Sequence, residues 1–251
     1  MLKIKQFVKV SSIEEAYELN QQKNNIVIGG MLWLKMQDRI INTAIDMSGL
    51  GLDKIEENDA EFRLGAMVTL RDMETHKSIN EYFGNAVCDA VKNIVGVQFR
   101  NLATIGGSVF GRYGFSDVLT VLMALNAKVE LYSQGIMSIE EFAAKPYDND
   151  ILLHVIIPKE NRKARYSSVR NQSTDFPVIT CGVSASQDDY RIVIGARPAR
   201  AVAFSFERNT KLQEMLDEID KKLVTESNNR ADADYRHRVA LVLARRSLSE
   251  L

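Results

Sequence analysis

Cysteine is scarce in this chain: Cys88 and Cys181 are the only two among 251 residues. Two thiols cannot build the disulfide framework of a small secreted domain, nor supply the four ligands of a cysteine-bound iron–sulfur cluster. Histidine is nearly as rare. His76, His154 and His237 are scattered, without metal-ligand spacing, and read as surface or interface residues. Charge of one sign is also missing. Lys and Arg number 32 against 33 Asp and Glu, so nothing points to bulk attraction for nucleic acid or a membrane surface. No apolar run approaches the roughly 20 residues that span a bilayer. The start, Met1 to Val10, lacks the apolar core and cleavage site of a signal peptide, so the expected location is the cytoplasm. What is present is ordinary: 45% hydrophobic and 26% charged residues, which excludes disordered and fibrous classes. The length suits one large domain or two moderate ones.

Local signals give an alternation of helices and strands. Ser12-Ile13-Glu14-Glu15 and Ser138-Ile139-Glu140-Glu141 have the form of capping boxes, and Thr69 is a candidate N-cap. Asn25 to Ile28, Phe62 to Ala66, Lys128 to Tyr132 and Ile151 to Ile157 read as strands. Ile13–Asn20, Ala86–Val95 and Asp117–Leu125 read as helices. Glu160 to Arg165 is charged and linker-like. Beyond it come three candidate strands, Tyr166–Arg170, Val178–Ser186 and Arg191–Ala196, the last two forming a hairpin. Two helices follow, about Thr210–Leu223 and Asp234–Ser247. This is an α+β chain, with a boundary expected at 158–165.

Two double glycines carry the strongest local signal: Ile28-Gly29-Gly30 and Ala103-Thr104-Ile105-Gly106-Gly107-Ser108. Glycine lets backbone amides approach a ligand, and successive amides in such turns can cradle an anion. Neither motif is G-x-G-x-x-G, and no phosphate-loop sequence occurs, so a Rossmann or P-loop site is not expected. Tight turns without a ligand are the plainer explanation for either pair alone.

The residues Gln98 to Ser108 (QFRNLATIGGS) closely resemble the signature of the FAD-binding medium subunit, or middle domain, of molybdenum hydroxylases, the family of xanthine dehydrogenase and carbon monoxide dehydrogenase. Further stretches resemble it in the family's order: Val27–Gly30, Leu64–Leu70, Ser116-Asp117 with Leu125–Val129, Ile151–Pro158, and Asp234–Arg238 with Leu243–Leu248. The resemblance implies a two-subdomain FAD-binding domain of the vanillyl-alcohol-oxidase/PCMH-like fold over 1–160, with subdomains of about 1–55 and 56–160. A small α+β C-terminal domain over 161–251, with a three-stranded antiparallel sheet and helices, would follow.

It also implies a site. FAD would lie in a cleft, its diphosphate held by Val27, Ile28, Gly29, Gly30, Met31, Leu32 and Trp33 in one loop and by Thr104, Ile105, Gly106, Gly107 and Ser108 in the other. Bare amide donors fit that role. Asp117 matches an aspartate that helps hold FAD; from the residues alone it is rather an N-cap for the helix behind it. Leu152 matches an apolar position near the flavin and is equally a strand core residue. Arg170 aligns with a cation near the pyrimidine end, where positive charge would stabilise reduced flavin. Asp175 matches an acidic loop position. Ile94, Gln98 and Arg100 lie on the approach to the second loop.

Three departures from the family stand out. Met31 and Leu32 replace small or polar residues, Ser108 replaces Asn, and Gly111 to Phe115 is bulky, with Tyr113 or Phe115 expected to shape access to the flavin. The implied function is an electron-transfer flavoprotein subunit. A large molybdopterin subunit would oxidise substrate, a small subunit with [2Fe–2S] clusters would pass electrons on, and NAD or another acceptor would receive them. A flavin-less scaffold subunit and a stand-alone FAD oxidoreductase are the alternatives.

Overall fold

A computed structural model describes residues 1–251 as three sheets in sequence, with helices between and around them. The first sheet is small and parallel. β1 (Lys3–Lys9) leads to α1 (Ile13–Asn20), then β2 (Ile26–Ile28) and β3 (Ile40–Asp46), which lies central in the order β1-β3-β2. Two of these strands, Lys3–Lys9 and Ile40–Asp46, give no clear signal in the sequence. β1 is an edge strand exposed along most of its length, so it lacks an apolar face to betray it. At the start of α1, Ser12 accepts the Glu15 amide at 3.2 Å, but the Glu15 carboxylate turns to the Ser11 amide at 2.8 Å instead of closing the capping box.

The second sheet is five-stranded and antiparallel, in the order β4-β5-β8-β6-β7. β4 (Ile55–Glu57) and β5 (Glu61–Gly65) precede six short helices. These are α2 (Leu70–Thr75), α3 (Lys77–Tyr82), α4 (Ala86–Val91), α5 (Val97–Arg100), α6 (Ile105–Phe110) and α7 (Asp117–Ala124). Then come β6 (Lys128–Leu131), β7 (Gly135–Ser138), α8 (Ile139–Ala144) and β8 (Leu152–Pro158). Full capping boxes start α2 (Thr69 with Asp72) and α8 (Ser138 with Glu141). The helix expected over Ala86–Val95 stops at Val91. Val95 takes a left-handed φ of 52°, which breaks the run before α5 begins.

The third sheet holds β9 (Lys163–Arg170), β10 (Pro177–Ala185), β11 (Asp189–Gly195) and β12 (Val202–Glu207), all antiparallel, closed by α9 (Leu212–Lys222) and α10 (Ala233–Ser249). The sheet has four strands, not three. Val202–Glu207 alternates outward and inward at an edge, and only Phe204 is fully buried, too weak a pattern to read alone. Every residue of β10 is buried, because α7 packs on one face and α10 on the other. Gly182 permits this: a Cβ there would stand 3.0 Å from both the Ala124 Cβ and the Thr120 carbonyl.

The connection at 160–165 is not a loose linker. Arg162 is 3% exposed, pairs with Asp189 at 2.8 Å and Glu160 at 3.0 Å, and donates to Ser184 at 3.1 Å. The largest core runs from β5, α7 and β8 into Ala164, Tyr166 and Val193 of the third sheet. A second core fills the sheet's other face under α9 and α10. Each large apolar side chain so buried contributes roughly 1.5–3 kcal/mol. No helix is long and apolar enough to cross a membrane.

Candidate functional site

A cavity of about 870 Å³ opens where the three sheets meet. Its size falls within the range of roughly 300–1,000 Å³ typical of small-molecule and cofactor sites. One wall is the loop after β2. This strand ends at Ile28, and the chain turns through Gly29, Gly30 and Met31, the last with a left-handed φ of 57°. The amides of residues 29 to 33 find no acceptor in the protein. Five successive free donors facing one cavity make a site for a diphosphate.

The glycines there have a second reason. A Cβ on Gly30 would lie 1.9 Å from the Leu102 carbonyl oxygen, and one on Gly29 would lie 2.5 Å from the Thr104 hydroxyl. They allow the two glycine loops to touch.

The second loop is built differently from the sequence expectation. Its amides are already used: Ile105 donates to Val68 and Gly106 to Ala66, both at 2.8 Å; Gly107 donates to the Thr104 hydroxyl and Ser108 to the Thr104 carbonyl, both at 3.1 Å. These bonds stitch Leu64–Leu70 to Ala103–Ser108, which explains why both motifs occur together. The loop thus faces the cavity with the Thr104 side chain and the surfaces of Gly106, Gly107 and Ser108. Ile105 alone among the fifteen expected residues does not line the cavity; its side chain is fully buried in the core. The other fourteen, Val27 to Trp33, Thr104, Gly106, Gly107, Ser108, Asp117, Leu152 and Arg170, all line it.

Asp117 is 5% exposed at the start of α7. Ser116, not Asp117, caps that helix, accepting the Leu119 amide at 3.1 Å. This frees the Asp117 carboxylate to accept from Tyr166 Oη and to pair with the Arg170 guanidinium. Burial pushes the carboxyl up to about 6, against the opposing pull of Arg170 and Tyr166. The same burial, with the Asp117 charge beside it, holds the Tyr166 phenol well above its usual value. Arg170 also donates to the Asp175 carbonyl. Arg100, by contrast, faces away from the cavity: it is 4% exposed and clamps Glu74 at 2.7 Å. Ile94 lines the cavity and Gln98 does not.

Aromatic planes fill one side. Trp33 stacks on Phe176 at 5.5 Å, Tyr113 on Phe115 at 5.1 Å, and Phe115 meets Phe176 edge-on at 4.5 Å. Phe176, Pro177, Met67 and Asn149–Ile151 also line the cavity, although the sequence does not single them out. Met67 and Ile151 lie in the stretches Leu64–Leu70 and Ile151–Pro158 that resemble the family, and the apolar Phe176-Pro177 pair directly behind Asp175 could have signalled itself; Asn149 and Asp150 sit in a stretch without a pattern. His76 caps α3, accepting the Ile79 amide at 3.3 Å; His154 joins Glu130 at 2.6 Å and His237 joins Asp220 at 2.7 Å. All three are half-buried and held by local hydrogen bonds, none beside another histidine.

Residues 2–160 match the family described as FAD binding domain in molybdopterin dehydrogenase. The chain belongs to that family. An uncharacterized protein of Escherichia coli K12, YgfM, is 26% identical over 204 residues, covering 79% of this chain and 77% of the relative. The nicotine 6-hydroxylase medium subunit of Paenarthrobacter nicotinovorans is 26% identical over 272 residues, covering 97% and 96%. Quinoline 2-oxidoreductase from Pseudomonas putida 86 contains a chain of the same fold, with a TM-score of 0.85 at 16% identity, covering 100% of this chain and 96% of that one. Residues 2–160 are therefore an FAD-binding domain, and one of the relatives is itself named as the medium subunit of a hydroxylase. The cavity fits that cofactor: free amides for a diphosphate, a buried carboxylate as acceptor, a cation, and aromatic walls for a flat ring.

Proposed function

We propose that this chain is the electron-transfer subunit of a heteromeric molybdenum hydroxylase. A large partner would carry molybdopterin and oxidise substrate, and a small partner would carry two [2Fe–2S] clusters. FAD on this chain would link those clusters to NAD or another acceptor. When bound, FAD supplies the exchange between one- and two-electron chemistry that such a relay needs. The observation that carries the reading is the run of five unpaired amides, residues 29 to 33, facing the same cavity as Asp117 and Arg170.

The chain's own contribution is to bind and to tune. The amides of 29–33 and the Thr104 hydroxyl hold the diphosphate. Asp117 accepts hydrogen bonds from the cofactor's donors, while Tyr166 and Arg170 fix its orientation. Arg170 sets positive charge at the redox end, and Leu152 with the aromatic wall excludes water.

We divide the chain functionally at residue 160, with 1–160 (about 1–55 and 56–160) for FAD and 161–251 for packing and subunit contact. The change of sheet between Pro158 and Lys163 supports this. We place the protein in the cytoplasm, where Cys88 and Cys181, both unpaired, stay reduced. Copurification tests the assembly. Tagged chain should bring down molybdenum- and iron-containing subunits, and substrate added to that complex should bleach the flavin absorbance. A folded chain that isolates alone with no metal-bearing partner would overturn the relay.

A further inference from the structure

Beside the main cavity lies a second, of about 200 Å³. Phe115, Phe176 and Pro177 belong to both walls. The new wall is basic: Arg230 and Arg236 line it with Asn228, and no carboxylate does. Arg236 is 1% exposed. Its Nη1 donates to the carbonyls of Val178 and Ala196, and its Nη2 to the Asn228 side chain. Those bonds tie α10 to β10 and to the turn directly after β11, a structural task in itself, but they leave Nε without an acceptor.

Arg230 is still less satisfied. Its Nε is buried without a partner, its Nη1 donates to nothing in the protein, and its nearest carboxylate, Asp175, stands 3.5 Å from Nη2. Its guanidinium sits 4.9 Å over the Phe176 ring, which holds it at the cavity. After burial, the charge of Arg230 is the next cause that holds Arg236 below the usual arginine value, with only Asp232 opposing. Asp175, 3.5 Å from Arg230, is the only carboxylate paired with either guanidinium, and two neighbouring buried cations with one such partner are costly unless a further anion joins them.

We propose that Arg230 and Arg236 form a binding site for an oxyanion, the phosphate or carboxylate group of a small molecule, across the Phe115–Phe176 pair from the main cavity. Guanidinium forks match both groups in geometry. The volume admits such a group but is below that of typical whole-ligand sites, on the order of 300–1,000 Å³. The anion is therefore either a free ion or one end of a molecule whose remainder lies in the main cavity. The site goes beyond the cofactor assignment, because the free amides of 29–33 belong to the main cavity alone.

The test is calorimetric titration of the full-length chain with inorganic phosphate, and separately with acetate, alongside NMR of the arginine Nε–H signals. Saturable one-to-one binding that shifts the Arg236 Nε–H signal is expected, and comparison of the two ions tells a phosphate site from a carboxylate site. Arg230→Gln, chosen because Arg236 also holds the fold together, should weaken binding about 10- to 100-fold with an unchanged circular dichroism spectrum. Absence of saturable binding of either ion would overturn the proposal. So would phosphate that binds R230Q as tightly as the native chain and is displaced by FAD, because it would then lie on the 29–33 loop. Absence of oxyanion binding leaves FAD binding untouched, because FAD is read independently from its visible absorbance, and displacement by FAD would relocate the anion while supporting the cofactor assignment.

Discussion

Asp117 offers a test of which force governs the buried centre of the site. Its carboxyl is raised from 3.8 to about 6 because burial outweighs Arg170 and Tyr166. The folded state then holds a proton that the unfolded chain has released. Stability is greatest below the unfolded value and is lost as pH rises through the window from 3.8 to 6. The full window is worth about 3 kcal/mol, and the part between pH 4.5 and 7.5 about 2 kcal/mol. Asp117→Asn removes this titration and leaves every other group in place. Thermal melts of the flavin-free native and Asp117→Asn chains across that range should therefore diverge. The native chain should lose about 4–8 °C relative to the variant on going from pH 4.5 to 7.5. Parallel curves would show that Asp117 does not titrate there. A native chain that instead gains relative to the variant as pH rises would show that the pairing with Arg170 wins over burial, and the reasoning would fall.

Gly30→Ala drives a methyl group into the Leu102 carbonyl, a rigid backbone atom. It should cost about 1–3 kcal/mol in melts and weaken FAD binding at least about tenfold in a fluorescence titration. Gly29→Ala meets only the Thr104 side chain and should be milder in both assays. Thr104→Val removes the acceptor for the Gly107 amide and should cost about 1 kcal/mol in a melt, whereas Thr104→Ser should retain most of that stability. The Cys181 thiol, fully buried and pushed up to about 12, should resist alkylation until the protein unfolds, while half-buried Cys88 reacts in the native state; peptide mass spectrometry after iodoacetamide reads both.

Much of this site is legible in the amino-acid sequence. The motifs around Gly29, Thr104 and Asp117 carry local chemistry, caps and turns, that a short stretch of residues fixes by itself. The apolar helix ahead of Leu125 and the β10–β11 hairpin are legible for the same reason. What stays hidden depends on distant partners. Nothing near Gly107 says that its amide is spent on Thr104, or that the amides of Ile105 and Gly106 are spent on Val68 and Ala66; hence the second loop reads as a donor set. Ser116 and Asp117 both suit a helix cap, and only the arrival of Tyr166 and Arg170 from β9 decides between them. Edge strands Lys3–Lys9 and Val202–Glu207 bury too little to show a period. The charge-rich stretch at 160–165 looks solvated, yet Arg162 is buried through its partners on β10 and β11.

The most direct test of the account is the flavin content of the purified chain, read by absorbance with released FAD quantified against protein. About one FAD per chain is expected, with Gly30→Ala depleted of it under the same purification. A folded native chain that holds no FAD, even after incubation with excess cofactor, would contradict the assignment of the 29–33 amides and their cavity to FAD.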